Sequence, residues 1–360
     1  MLQVMPAKDH MLQVAQIGTL PPIKDAGAAR GLDIGFLLSK YMLPGGFEGR
    51  TGSVNHEPFL RRHAASSVVD WHLVQQPSQG VYSWADADVM VGFLETRGIK
   101  PILGGYFADS SVVKPWVEAI TNPTTLRGVL ENTIQTAISR YGTRVKSWCI
   151  SNETFWPLNW GGPANGFQPG HWYDVLGTSF LEYAFKAANA AAHPSTELWM
   201  NTAWIEWDDA ASVRPKILEA IDDLLSKGCR ITGLGFQFHV RPGAQTTGNA
   251  LADFMNQVAQ RGLKIMLTEV DVIDKDLPVA TRIQDAATLF TNMLTPVVRD
   301  VPALSNIHFW NIDDVDSWVG SAFTRLDGLP HRGGNLMGRD LGPSLLHHTF
   351  LQCLQSRPLS

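Results

Sequence analysis

Residues 147–153 read SWCISNE, a short β-rich run that ends in an amide and a carboxylate. A near-continuous apolar run of this length is typical of a parallel strand, because helices cover both of its faces. Seven further runs of the same kind occur along the chain, at residues 32–38, 64–71, 100–106, 197–201, 233–237, 264–269 and 306–310. The quoted stretch is therefore the fourth of eight candidate strands.

Longer stretches with apolar residues at helical spacing separate these strands, for example at residues 85–96, 130–141, 172–192, 213–226 and 251–261. Glycines stand just past four of them, where a helix C-cap needs a positive φ, namely Gly98, Gly142, Gly228 and Gly262. Eight strand–helix units predict an α/β fold, a single (β/α)₈ TIM barrel. An open doubly wound sheet is the alternative, but no GxGxxG or GxxxxGK[ST] follows any strand.

We assign the barrel to residues 25–360 and treat residues 1–24 as an N-terminal segment, either flexible or derived from a tag. The first residues lack a basic segment followed by an apolar stretch and a small-residue cleavage site. The sequence therefore predicts a chain without a signal peptide, either cytoplasmic or separated from its signal.

Composition excludes several classes of protein. Hydrophobic residues make up 44% and charged residues 18%, as in folded globular chains. No apolar run approaches the ~18 residues of a membrane span, and a net charge of −5 offers no basic surface for nucleic acid. Three distant cysteines without a CxxC argue against a disulfide framework or a zinc site. We predict a monomer without metal or cofactor and without membrane or nucleic-acid partners.

Two carboxylates stand where a barrel places catalytic groups. Glu153 follows the fourth strand and Glu269 ends the seventh. The carboxyl ends of all barrel strands meet at one rim, and strands four and seven face each other across it. A strand-end cap or a surface ion pair would explain either glutamate alone. Hydrolysis of a glycoside needs two such groups, one protonated and one ionised, so the pair favours a glycosidase.

Four sequence blocks resemble glycoside hydrolase family 10, the xylanase family. Residues 148–153 are similar to the family's W-D-V-V-N-E, and residues 268–272 (TEVDV) to its T-E-L-D-V. Residues 233–240 (GLGFQFHV) resemble G-I-G-x-Q-x-H-L, and residues 309–318 resemble W-G-V-x-D-x-x-S-W. The resemblance implies a retaining O-glycoside hydrolase, similar to an endo-1,4-β-xylanase, that acts on a carbohydrate or glycoside.

The resemblance also implies roles for single residues. Glu153 would be the acid/base and Glu269 the nucleophile. Asn152 would bind the sugar 2-OH, and Gln237 would lie near the sugar. Trp310 and Trp318 would form a platform and a lid around the reacting sugar.

A support for the nucleophile is expected behind it. The resemblance implies that His239 is hydrogen-bonded to Glu269. Asp271 lies two residues after Glu269 on the same strand face, so it can fix His239 in turn. Burial and the charge of Glu269 should raise the pKa of Glu153.

The chain departs from the family where the glycone is bound. The family's second strand ends in E-N-x-M-K-W, but residues 66–72 read SSVVDWH; its third reads G-H-x-L-V-W-H, but residues 104–110 read GGYFADS. The lost donors indicate a changed substrate, a more hydrophobic glycoside than plain xylan. The further substrate-binding residues that we predict are Trp71, Tyr106, Asp109, Asn201 and Trp204.

Some positions keep two interpretations. Tyr106 and Phe107 can each be a site residue or barrel core, and at least one of Trp204 and Trp207 should face the cleft. For the whole protein, the alternative is a barrel repurposed as a secondary-metabolite tailoring enzyme that uses Glu153 and Glu269 as acid and base. A non-catalytic sugar-binding barrel is disfavoured, because it would not need both glutamates.

Overall fold

Eight parallel strands form a closed barrel in the computed structural model, which describes residues 21–39, 56–70, 76–109, 113–243, 247–315, 317–325, 327–338 and 342–360. The strands are β1 (Asp33–Leu38), β2 (Ser66–Asp70), β3 (Lys100–Gly104), β4 (Ser147–Asn152), β5 (Glu197–Thr202), β6 (Gly233–Phe236), β7 (Lys264–Val272) and β8 (Leu304–Phe309). Each pairs with the next, and β8 pairs with both β7 and β1. The predicted (β/α)₈ barrel is confirmed.

Two short strand segments extend the sheet at the carboxyl rim. Ala108–Asp109 pairs with the end of β4, which places Asp109 opposite Asn152. His239–Val240 pairs with the end of β7, which places His239 opposite Asp271. These extensions bring side chains of neighbouring strands together above the barrel core.

The described helices are α1 (Ile23–Ala28), α2 (Glu57–His63), α3 (Ala85–Glu95), α4 (Pro115–Glu118), α5 (Pro123–Tyr141), α6 (His171–Leu176), α7 (Ser179–Ala191), α8 (Arg214–Ser226), α9 (Gly248–Ala259), α10 (Arg282–Asp300), α11 (Val319–Ala322) and α12 (Leu345–Gln355). Gly98, Gly142, Gly228 and Gly262 all have positive φ, as predicted for residues after helix ends. None of the described helices is long and apolar enough to cross a membrane.

Two helix predictions differ most from the structure, while the predicted helix 251–261 is shifted to Gly248–Ala259. Helix α5 begins at Pro123, seven residues before the predicted start, because the Asn122 side chain caps it by accepting from the Thr125 amide. The predicted helix 172–192 is two helices, since Gly177 has a φ of 62° at the end of α6. Apolar spacing continues across that glycine and conceals the break.

The barrel interior is filled below the rim. Its cluster of buried side chains includes Val68, Ile102, Tyr106, Cys149, Trp199 and Met266. A larger cluster lies between strands and helices, where Phe107 stacks on Trp148. Phe107 is therefore core. Because the interior is packed, a ligand at the carboxyl rim lies above the strand ends and not inside the barrel.

Candidate active site

Glu153 and Glu269 line one pocket of about 210 Å³ at the carboxyl rim. Glu153 directly follows β4, and Glu269 lies within β7. Eight other side chains line the same pocket, and all of them were predicted from sequence: Tyr106, Asp109, Asn152, Trp204, Gln237, His239, Trp310 and Trp318. The structure therefore brings together side chains from six strand ends and their loops.

The remaining predicted residues lie elsewhere. Asn201 is buried beneath the pocket and contacts Glu269, and Asp271 is buried behind His239. Trp71 lies outside the described residues.

Both carboxylate oxygens of Glu269 face donors. Asn201 Nδ2 donates to Oε1 at 2.6 Å, and His239 Nε2 lies 3.3 Å from Oε2. Thr268 Oγ1 donates to Asn201 Oδ1 at 2.6 Å and so fixes the amide that holds the glutamate. Burial raises the pKa of Glu269, whereas the contacts with His239 and Asn201 oppose that shift. The carboxylate is fixed in one orientation.

His239 lies between two carboxylates. Its Nδ1 is 2.8 Å from Asp271 Oδ1, and Trp318 Nε1 donates to Asp271 Oδ2 at 2.6 Å. Burial alone would lower the pKa of His239, but the charges and hydrogen bonds of Asp271 and Glu269 raise it well above 6.5. The two carboxylates therefore favour the protonated imidazole, in which both ring nitrogens are donors.

Glu153 has a different environment from Glu269. Gln237 Nε2 donates to its Oε1 at 3.0 Å. Burial, aided by the charges of Asp109 and Glu269, raises the pKa of Glu153 to about 7, although the Gln237 hydrogen bond opposes the shift. Glu153 therefore keeps its proton close to neutral pH, which suits a general acid.

A hydrogen-bonded chain joins the two sides of the pocket floor. Asn152 Nδ2 donates to Asp109 Oδ2 at 3.1 Å, and Asn201 Nδ2 lies 3.0 Å from Asn152 Oδ1. Asn201 also donates to Glu269, so the chain runs from Asp109 to Glu269. The sequence suggested sugar contacts for Asp109 and Asn201 but gave no sign of this network.

Aromatic rings form one wall of the site. Trp204 lines the pocket, and Trp207 lies behind it with ring centroids 4.5 Å apart. The row continues to Trp160, 5.9 Å from Trp207, and then to Trp156, 5.6 Å further. Of the two tryptophans after β5, Trp204 thus faces the cleft. Tyr106 also faces it, whereas Phe107 does not.

The backbone around the pocket is unusual. Four described non-glycine residues have positive φ: Tyr106, Glu153, Trp204 and Phe238. Three line the pocket and the fourth directly precedes His239. Such conformations are costly for residues with a Cβ and concentrate at functional sites.

One buried residue beside the site was missed in the sequence. Glu206 Oε1 accepts from the main-chain N–H of His239 at 2.8 Å. A single glutamate between two tryptophan positions matched none of the blocks that we compared. Among the described residues, no group of three or more His, Cys, Asp or Glu side chains is arranged to hold a metal ion.

Comparison with known families matches residues 65–332 to Glycosyl hydrolase family 10. The chain is 29% identical over 244 residues to Endo-1,4-beta-xylanase 3 of Hypocrea jecorina, covering 68% of this chain and 64% of that protein. It is 28% identical over 272 residues to the thermostable celloxylanase of Thermoclostridium stercorarium, covering 68% of this chain and 67% of that one. The chain thus spans slightly less than two thirds of the Hypocrea protein.

Solved structures share the fold. An endo-1,4-beta-xylanase of Penicillium canescens matches with a TM-score of 0.80 at 21% identity, covering 94% of this chain and 99% of that one. Xylanase 10B of Thermotoga petrophila, solved with xylobiose, matches with a TM-score of 0.78 at 22% identity. The match covers 93% of this chain and 97% of that one. At these identities the likeness shows the barrel alone.

Proposed function

The chain belongs to glycosyl hydrolase family 10, and on that premise we propose that it is a retaining O-glycoside hydrolase with an endo-1,4-β-xylanase-like mechanism. One observation carries the proposal: the same pocket holds a carboxyl group whose pKa is about 7 and a second carboxylate fixed by donors on both oxygens. Two carboxyl groups in different environments are what an acid and a nucleophile require.

In the first step, a Glu269 oxygen attacks the anomeric carbon while the bond to the leaving oxygen breaks. Glu153 gives its proton to that oxygen, so the aglycone departs as a neutral alcohol. Asn201 and His239 keep the attacking carboxylate in position. The products are a covalent glycosyl-enzyme and an ionised Glu153.

In the second step, Glu153 takes a proton from water, and the hydroxyl oxygen attacks the anomeric carbon. The ester bond to Glu269 breaks, which restores the Glu269 carboxylate and the protonated Glu153. Two inversions at one carbon give net retention. Glu269 has no charge during this step, so the pKa of Glu153 falls and it becomes the base.

We expect kcat/KM to fall as pH rises through about 7, because the raised pKa of Glu153 keeps the acid form only below that value. The check is a pH profile for two aryl glycosides that share a sugar. The alkaline limb should be present for a poor leaving group and weak for 2,4-dinitrophenolate, which needs no proton. The assignment of Glu153 as the acid would be contradicted if the alkaline limb were identical for the two glycosides. It would also be contradicted if that limb lay near the ordinary pKa of a carboxyl group.

We also propose that the substrate is a more hydrophobic glycoside than plain xylan. Tyr106, Trp204, Trp310 and Trp318 line the pocket. Beyond Trp204 the aromatic row continues through Trp207 to Trp160. Aromatic faces suit apolar groups and the apolar faces of sugars. The family's glycone-binding donors are missing from residues 66–72 and 104–110.

The chain should therefore give a higher kcat/KM on an aryl β-xyloside with a large apolar aglycone than on xylobiose or xylan. Trp204→Ala should reduce kcat/KM on the apolar aryl xyloside by roughly 10-fold, since one lost apolar contact changes discrimination by about this factor. It should reduce kcat/KM on xylobiose or xylan much less. Trp204→Phe keeps an aromatic face and serves as the matched control. Equal losses on both substrates, or xylan preferred by the unmodified chain, would overturn this part of the proposal.

The alternative is that Glu153 and Glu269 act as acid and base on a substrate that is not a glycoside. That enzyme would turn over its substrate without a glycosyl-enzyme. The fixed orientation of Glu269 favours the nucleophile, because a base does not need both of its oxygens held.

A further inference from the structure

Glu206 is a buried carboxylate that the mechanism above does not use. Its side chain is fully buried, and its Oε1 accepts from the main-chain N–H of His239 at 2.8 Å. Its Oε2 has no hydrogen-bond partner within the described part of the chain. A buried carboxyl group without full pairing is costly, so its presence beside a catalytic pocket calls for an explanation.

The next residue binds the other main-chain polar group of His239. Trp207 Nε1 donates to the carbonyl oxygen of His239 at 2.8 Å. Both main-chain polar groups of His239 are thus bonded to side chains from one loop, the loop that follows β5. The residue that this loop holds in this way is the one that contacts Glu269.

The backbone before His239 explains why these two hydrogen bonds are needed. Phe238 has a φ of 64°, which a residue with a Cβ rarely adopts. Immediately after it, the chain pairs with β7 so that His239 lies opposite Asp271. Relaxation of Phe238 would rotate the His239 peptide and move the ring. The hydrogen bond from the His239 N–H to Glu206 Oε1 opposes that rotation.

Burial and neighbouring charges set the protonation state of Glu206. The charged groups that act on Glu206 are the His239 cation, which favours its ionised form, and Asp271, which disfavours it. On the loop side, Arg214 donates to the carbonyl of Ile205 at 2.7 Å and interacts with Glu206. Burial outweighs these effects and raises the pKa of Glu206 to about 7. Below that pH Glu206 is protonated, and its carbonyl oxygen can still accept from the His239 N–H.

We propose that Glu206 is a positioning residue that fixes the His239 peptide and, through the imidazole, the orientation of Glu269. The inference rests on the proposed function, since Glu269 is assigned there as the nucleophile. Glu206 itself touches neither the pocket nor a reacting atom.

The test compares three variants of the full chain on an aryl β-xyloside. Glu206→Met fills a similar volume without an acceptor, and Glu206→Gln keeps an oxygen for the His239 amide. Asp208→Asn removes an exposed charge from the same loop and is the matched control. We expect Glu206→Met to lower kcat roughly 10- to 100-fold with little change in KM, as when groups that orient a catalytic ligand are removed. Glu206→Gln should recover most of the loss, and Asp208→Asn should match the unmodified chain.

The pH profile separates positioning from a merely structural role. A displaced His239 no longer lowers the pKa of Glu269, so the acid limb of Glu206→Met should move to higher pH. The alkaline limb should move much less, because His239 has the smallest effect on the pKa of Glu153. Loss of folded protein would reduce the amplitude and leave both limbs in place. Unmoved limbs, or equal losses in the Met and Gln variants, would overturn the inference.

An NMR measurement needs neither activity nor a variant. In the unmodified chain, the His239 main-chain amide should exchange slowly, and its proton shift should follow the titration of the Glu206 carboxyl carbon. If the His239 amide proton and the Glu206 carboxyl carbon titrated independently, Glu206 would not be hydrogen-bonded to that amide. If the chain hydrolyses no glycoside, the proposed function fails, and this measurement still decides whether Glu206 holds His239.

Discussion

Glu269→Gln should abolish glycoside hydrolysis, with kcat lowered by on the order of 10⁴-fold or more, as for loss of a covalent nucleophile elsewhere. The amide is nearly the same size and still offers an oxygen to Asn201 Nδ2, which is 2.6 Å from Oε1 in the native side chain. It cannot form the ester to the anomeric carbon. Steady-state rates on an aryl β-xyloside, with circular dichroism to verify folding, provide the measurement.

A matched substitution exists at the opposite end of the barrel. Glu197 begins β5 and forms a surface ion pair with Lys264. Exposed pairs of this kind contribute little to stability, so Glu197→Gln should retain native kcat and KM. Comparable activity in the two glutamine variants would remove Glu269 from the mechanism.

Glu153→Ala should have a large effect that depends on the leaving group. Without the acid, the first step should slow by roughly 10²- to 10⁴-fold for a poorly acidic aglycone. It should slow little for 2,4-dinitrophenolate, which leaves without a proton. With that good leaving group, the second step becomes limiting because no base activates water. The glycosyl-enzyme should then accumulate.

Azide provides the control for this variant. It needs no base, and it can enter the space that the shortened side chain leaves. Added azide should speed turnover of the 2,4-dinitrophenyl glycoside and give a glycosyl azide of retained configuration, identified by NMR. Rate losses independent of the leaving group, with no response to azide, would show that Glu153 is not the acid/base.

Periodicity and composition were sufficient to predict the barrel. All eight strands lie within a few residues of the predicted runs, because a strand covered on both faces must be apolar almost throughout. The β4 prediction at residues 147–152 matches at both ends. The rim position of Glu153 and Glu269 followed directly, since a barrel places all its strand ends on one side.

The geometry beyond the strand ends could not be predicted in the same way. Positive φ occurs at four residues that are not glycine, so their sequence does not predict it: Tyr106, Glu153, Trp204 and Phe238. These conformations are imposed by surrounding contacts and leave no local pattern in the sequence. For that reason the contact of Asn201 with Glu269, and the whole environment of Glu206, became visible only in the folded chain.

The two segments that depart from the family lie after β2 and β3. Residues 71–75, which include Trp71, lie outside the described residues. The replacement at residues 104–110 is described up to Asp109, where the carboxylate accepts from Asn152 and so joins the network under the pocket. Asp109, which stands where the family has a tryptophan, is thus hydrogen-bonded to Asn152 in the candidate site.

The most direct measurement is trapping with 2,4-dinitrophenyl 2-deoxy-2-fluoro-β-xyloside, followed by intact mass and peptide mapping. The fluorine slows both steps, and the good leaving group lets the first proceed, so the covalent sugar should persist. The account predicts one fluoroxylosyl group per chain, attached to Glu269. Turnover of aryl xylosides with no adduct, or an adduct on any other residue, would contradict it.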